Sequence, residues 1–229
     1  MNSSKFGGFH GIVFDVYGTL FDIGAIVNAC QEVTDDGASF SRLWRTKQLE
    51  YSVLRTVMDR YADFGEITSD ALEYTSNAFG IALLPLERRR LMQAWQSLPA
   101  YPDVPLALDQ LHAAGQRMLV LSNGSRQMLD PLLEQSGLTP YFGAVLSSEQ
   151  VQSYKPDAAM YQLITERIYA RMNEVLFVTA NGFDIAGAKA AGLTVCRVNR
   201  EGLPLDPLGF EPDIVVSDLG GLVDALTAG

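Results

Sequence analysis

Two cysteines and two histidines among 229 residues close off several kinds of chemistry at once. Cys30 and Cys196 lie far apart with no CxxC spacing, which offers neither a disulfide framework nor a zinc signature. Two buried thiols are the plainer reading. His10 precedes the first apolar run and His112 falls inside a helical pattern, so neither is placed as a catalytic base. Basic residues are scarce too, with 17 Lys and Arg against 27 Asp and Glu, a formal net charge of −10 and a pI near 4.6. With no Lys/Arg cluster and a field that repels phosphate backbones, nucleic acid is excluded as the partner. An anionic substrate therefore needs a locally positive site.

Long apolar runs are absent as well. The longest, residues 118–121 and 174–180, have the length of strands and not of membrane spans, and residues 1–10 lack the apolar centre of a signal peptide. The expectation is a cytoplasmic protein with no membrane partner. No GxSxG elbow, GxxxxGK loop or HExxH helix occurs, so serine hydrolase, P-loop nucleotidase and zincin readings fall away.

What the chain does have is 48% apolar residues, ample for a packed interior, in a length that suits one core domain carrying an insertion. Residues 11–16 form a continuous apolar run ended by Tyr17-Gly18-Thr19, a buried strand entering a tight turn. Further strands are expected at 117–122, 174–179, 194–198 and 213–216. Between them lie helical patterns at 104–114, 125–136, 157–169 and 183–191, three of them closed by Gly115, Gly137 and Gly192. This alternation predicts an α/β fold with a parallel sheet.

From 22 to 99 the rhythm changes to four helical patterns with no strand. Phe40, Leu43, Trp44, Tyr51, Leu54, Met58 and Tyr61 keep a helical stripe there, and Pro85 opens a later helix. The predicted organisation is a Rossmann-like core formed by 1–21 and 100–229, interrupted by an all-helical cap subdomain at 22–99. Pro99, Pro102 and Pro105 mark the return to the core, and 202–212 reads as an irregular loop.

Ligands of such sheets sit beyond the carboxyl ends of the strands. The residues there are Asp15, Tyr17 and Thr19, then Ser122, Asn123 and Gly124, then Lys155, then Thr179, Asn181 and Asp184. A charged group ending an Ile-Val-Phe strand is costly without a role, which singles out Asp15. Lys155 beside it would hold the carboxylate anionic by direct charge attraction. Simpler readings stand beside these. Lys155 suits a surface loop, Asp184 suits a helix N-cap, and Arg45 with Arg42 and Lys47 suits a solvated face. Tyr17, Leu49, Phe64 and Phe183 suit plain core.

The set in order resembles the haloacid dehalogenase superfamily: DxxxT at Asp15 to Thr19, then Ser122, Lys155 and Asp184, followed by Gly-Ala-x-x-Ala-Gly at Gly187 to Gly192. Within it the chain is most similar to the L-2-haloacid dehalogenases, through FDVYGTLFD at 14–22, LWRTKQLEY at 43–51, SNG at 122–124, YKP at 154–156 and NGFD at 181–184. The resemblance implies that Asp15 attacks C2 of a 2-haloalkanoic acid, expels halide and forms an aspartyl ester with inverted configuration, which water then opens at the Asp15 carbonyl carbon. It implies that Thr19 orients Asp15 and that Arg45 meets the leaving halide. Ser122 and Asn123, with backbone N–H groups near Tyr17, hold the substrate carboxylate. Asp184 and Asn181 position the water, with Thr179 and Lys155 fixing their geometry. Tyr17, Leu49, Phe64 and Phe183 form the apolar wall, and Val16, Thr46 and Tyr161 complete the implied substrate-contacting set.

The family usually has Trp where Phe183 stands, Ser where Thr179 and Ala180 stand, and Gln where Thr46 stands, so the substrate size of relatives does not transfer. Phosphatases of the superfamily carry a second aspartate where this chain has Tyr17, and acidic magnesium ligands where Thr179, Ala180 and Asn181 leave only Asp184. The expectation is thus no metal and no cofactor, with a homodimer usual for the family. A magnesium-dependent phosphatase and a non-catalytic anion-binding member are the competing readings.

Overall fold

The computed structural model describes residues 8–228. The chain opens on β1 (Gly11–Phe14) and then runs through four helices, α1 (Ile26–Cys30), α2 (Gly37–Val57), α3 (Phe64–Ala78) and α4 (Pro85–Ala94). It continues as α5 (Val104–Ala113), β2 (Met118–Ser122), α6 (Arg126–Gln135), β3 (Ala144–Ser147), α7 (Ala158–Gln162), β4 (Val175–Thr179), α8 (Gly182–Ala190), β5 (Thr194–Val198), β6 (Ile214–Val216) and α9 (Leu219–Thr227). Every strand pairing is parallel, in the order β3-β2-β1-β4-β5-β6.

β1, β2 and β4 are buried at every residue. That is why their sequences run continuously apolar: helices cover both faces, so alternate side chains enter two separate cores. Ile12 and Phe14 join one core with α5, α6 and α9, whereas Val13 joins the other with Leu119, Leu121, Phe177 and Ile185. Strand order reverses between β1 and β4, which leaves a crevice at their carboxyl ends.

Three features differ from the sequence-based reading. β3 was not expected. It has four residues, half of them only partly buried, too little pattern to stand out from a loop. The helix expected over 157–169 is regular only from Ala158 to Gln162 and then continues as turns. In α2 the buried stripe is Phe40, Trp44, Gln48 and Ser52, at a spacing of four, and Leu54 and Met58 face outward at 45% and 56% exposure. Apolar identity misassigned that face because two polar side chains occupy the inner one.

Residues 22–99 contain α1 to α4 and no named strand among the described residues. Asp63 starts α3 with a capping box, accepting from Gly65 N–H at 2.7 Å while Glu66 accepts from the Asp63 N–H at 3.1 Å. Trp44 ties α2 to α3 by donating its indole N–H to Thr68 O at 2.8 Å. No described helix is long and apolar enough to cross a membrane.

Candidate active site

Asp15 leaves β1 at the crevice, its N–H donating to Val178 O at 3.0 Å. The turn after it needs Gly18 at φ +84°, a region costly for any other residue, and closes with Gly18 N–H donating to Phe21 O at 2.8 Å. This brings Thr19 back so that its hydroxyl donates to Asp15 Oδ2 at 2.8 Å while accepting from Ala180 N–H at 2.9 Å. Asn181, just past β4, donates its side-chain amide to the same Oδ2 at 2.8 Å and to Tyr17 O at 3.0 Å. Thr179 Oγ1 lies 3.5 Å from Oδ2 and accepts the Asn181 N–H at 3.1 Å.

Asp15 Oδ1 has a different partner. Lys155 Nζ lies 3.0 Å from it and 2.9 Å from Asp184 Oδ2, with side-chain exposures of 1% for Lys155, 8% for Asp15 and 0% for Asp184. Tyr161 donates its hydroxyl to Asp184 Oδ1 at 2.7 Å. The buried triad thus carries two carboxylates and one ammonium. Burial pushes the Asp184 carboxyl above the usual carboxylate range, Lys155 pulls it back down, and the Asp15 charge pushes it up again. For Lys155, burial acts to lower its pKa, but Asp15 and Asp184 together outweigh that and raise it, so the ammonium stays charged.

Asn123 Oδ1 accepts the Lys155 N–H at 2.8 Å, which aims the Asn123 amide NH₂ elsewhere. Ser122 Oγ accepts Gly124 N–H at 3.1 Å and keeps its own proton to donate. From α2, Arg45 hydrogen-bonds Gln48 Oε1 at 2.5 Å and lies over the Trp95 ring at 5.6 Å. Burial lowers its pKa to about 10 against the opposing pull of Asp15, leaving a charged guanidinium at neutral pH. Burial likewise raises the Tyr17 phenol far above its usual value.

Asp15, Tyr17, Arg45, Leu49, Phe64, Ser122, Asn123, Lys155, Asn181 and Phe183 line one small cavity of about 10 Å³. That is room for roughly one water. Six residues of the expected set stand outside this lining: Thr19, which holds Asp15 Oδ2, and Asp184, together with Thr46, Val16, Tyr161 and Thr179. Thr46 is exposed and its hydroxyl back-bonds to Arg42 O at 2.8 Å, because it sits one position round α2 from the inward face. The Val16 side chain is buried in the main core. Tyr161 sits behind Asp184 and acts on it directly. Thr179 is fully buried beneath the Asp15–Asn181 contact. Asp184 is not the N-cap of α8; Asn181 holds that place, and the Asp184 carboxylate turns inward to Lys155 and Tyr161.

Gln48 was missed by sequence reasoning. It is fully buried, accepts from Arg45 and donates to Thr68 Oγ1 at 2.7 Å, fixing the guanidinium. Its spacing of four from Trp44 was the available signal. Arg200 was also missed; it pairs with Asp103 at 2.7 Å and donates to Thr19 O at 3.1 Å, bracing the turn after β1.

As for a magnesium ion, a hard cation wants several carboxylate oxygens, yet Lys155 Nζ spans the two carboxylates here. No cluster of three metal-ligating His, Cys, Asp or Glu occurs among the described residues. The donor set does not fit the ion.

A lysine-bridged carboxylate pair thus sits at the switch point of a Rossmann-like sheet, and the family that shares this arrangement is one of hydrolytic enzymes. The haloacid dehalogenase-like hydrolase family matches residues 9–192, and the chain belongs to that family. It is 41% identical to the (S)-2-haloacid dehalogenase H-109 of Pseudomonas putida, over 94% of this chain and 97% of that protein. It is 39% identical to the (S)-2-haloacid dehalogenase of Pseudomonas sp. strain YL, over 93% of each. Among solved structures it resembles the L-2-haloacid dehalogenase from Xanthobacter autotrophicus with chloropropionic acid covalently bound. That match has a TM-score of 0.87 and 35% identity, over 94% of this chain and 97% of that one.

Proposed function

We propose that the chain hydrolyses L-2-haloalkanoic acids to D-2-hydroxyalkanoic acids without a metal, and that Asp15 is the nucleophile. The observation that carries this reading is the bonding of the Asp15 carboxylate. Oδ2 is held by Thr19 and Asn181 at 2.8 Å each, while among the described residues Oδ1 has only Lys155 at 3.0 Å. Oδ1 therefore keeps electron pairs for attack on C2 from behind, the carbon–halogen bond breaks, and halide departs with the bonding pair. A halide leaves without a proton, so Tyr17 at the position of the phosphatase acid is compatible with this step.

Water then adds to the Asp15 carbonyl carbon. Oδ2 becomes the oxyanion, already facing the Thr19 and Asn181 donors, which strengthens both hydrogen bonds at the point where charge develops. Asp184 takes one proton of that water; on collapse the Cγ–Oδ1 bond breaks, the departing hydroxyacid oxygen takes that proton back from Asp184, and the new Asp15 carboxyl loses its remaining proton to solvent, which restores both carboxylates. Arg45 stabilises the departing halide. Ser122 Oγ–H and the Asn123 amide, with backbone N–H groups near Tyr17, hold the substrate carboxylate. Leu49, Phe64 and Phe183 keep the site dry. Residues 22–99 serve as the cap that closes over substrate, and the working form is a cytoplasmic homodimer.

The test is chloride release from L-2-chloropropionate with chelator present, compared with Asp15→Asn, followed by one turnover in heavy-oxygen water with enzyme in excess. Label in the peptide containing Asp15, with unlabelled D-lactate, is expected. Label in the product alone would mean direct attack by water and would overturn the ester.

A further inference from the structure

Tyr154 immediately precedes Lys155, and it is held by the helical segment on three sides. Its N–H donates to Thr56 Oγ1 at 3.1 Å, its hydroxyl donates to Ala62 O, and its ring stacks on Tyr61 with centroids 5.3 Å apart. Phe64, which lines the catalytic cavity, tilts against the same ring at 5.7 Å. The next N–H, that of Lys155, turns the other way to Asn123 Oδ1 at 2.8 Å. Two successive peptide N–H groups thus bond to opposite sides of the seam between the helical segment and the sheet. Tyr61 closes the same seam, its hydroxyl 3.4 Å from Ser148 Oγ, which donates to Asn123 O at 2.8 Å.

The cavity has room for roughly one water. Arg45, Leu49 and Phe64 come from the helical segment and the rest of its lining from the sheet side, so a haloacid enters only when this seam opens. Opening breaks the two hydrogen bonds at Tyr154, one residue from the ammonium that bridges Asp15 and Asp184.

We propose that Tyr154 and Thr56 are positioning residues that couple closure of the helical segment over the substrate to placement of the Lys155 ammonium between Asp15 and Asp184. This rests on the dehalogenase reading for its kinetics but not for its electrostatics, because Lys155 acts on Asp184 whether or not substrate turns over.

The experiment compares Thr56→Val, which keeps the shape but removes the acceptor, Thr56→Ser, which keeps it, and Tyr154→Phe. Halide release from L-2-chloropropionate is followed as a function of pH, and the Asp184 carboxyl is titrated by ¹³C NMR in the substrate-free protein. Thr56→Val and Tyr154→Phe are expected to lower kcat several-fold, with the acid limb and the Asp184 titration both moved to higher pH as the ammonium's hold weakens. Thr56→Ser stays like the parent, and the double variant Thr56→Val/Tyr154→Phe falls short of the product of the single effects. Unchanged pH behaviour in both single variants, or equal impairment of Thr56→Ser and Thr56→Val, would overturn the coupling. If the parent releases no halide, the dehalogenase reading fails, and the NMR titration alone decides whether Tyr154 and Thr56 place Lys155.

Discussion

Lys155 is the one cation among the described residues that bridges the buried Asp15 and Asp184 carboxylates, so its removal is felt first in stability. Lys155→Met fills similar space but leaves Asp15 and Asp184 facing each other without a cation. A loss of about 3–5 kcal/mol is expected from breaking such a buried group, read as a lowered urea midpoint. The pH dependence follows from the same triad. With the Asp184 carboxyl held above the usual carboxylate range, the proposed role of Asp184 as base predicts that activity falls on the acid side at a pH above that range, since a protonated Asp184 would not take a proton from water. Tyr161 donates to the ionised form and favours it, so Tyr161→Phe is expected to move the acid limb of the pH–rate profile further up. The linked stability runs the opposite way with pH: the folded chain holds the Asp184 proton more tightly than the unfolded chain. That group's contribution therefore declines as pH rises from the ordinary carboxylate value through the raised one. Lys155, raised in the fold, contributes stability that is complete at neutral pH and lost only in strong alkali.

At the scale of elements, two packing contacts set the geometry. Gln48 on α2 joins Arg45 to Thr68 on α3, so Gln48→Leu keeps the volume but frees the guanidinium. A hydrogen bond to a charged group is worth about 1.5–3 kcal/mol, so kcat for halide release is expected to fall roughly 10- to 100-fold while the fold survives. Gly187 on α8 lies against Tyr161 Oη, and an added Cβ would sit 2.7 Å from Pro156 Cβ. Gly187→Ala is expected to destabilise by about 1–3 kcal/mol in thermal melts and to push Tyr161 off Asp184, adding the acid-limb shift of Tyr161→Phe. The strands and helices that carry the site were legible because apolar runs, Gly stops and Pro starts encode them locally. β3, short and half-covered, and the early end of α7 were not, because tertiary packing and not pattern fixes both.

For the whole molecule, α2 presents Val53, Leu54, Val57 and Met58 outward, with Val57 79% exposed. This ridge would be covered in the proposed homodimer, and Val57→Glu is expected to give a monomer by light scattering; an unchanged mass would place the interface elsewhere.

The sequence by itself determined which groups are chemically possible. A lone carboxylate at an apolar strand end, a distant lysine and small polar residues after three strands named most of the cavity lining, since strand ends in a parallel sheet must meet at one edge. Tertiary structure alone decided where each side chain points and what it meets. Thr46 turned outward, Val16 went into the core, Tyr161 and Thr179 lay behind the carboxylates, and Asp184 left its cap for Lys155. The physical reason is that a side chain's direction, and the partners that hold its charge in a buried site, depend on residues 20 to 166 positions away, which no local pattern specifies.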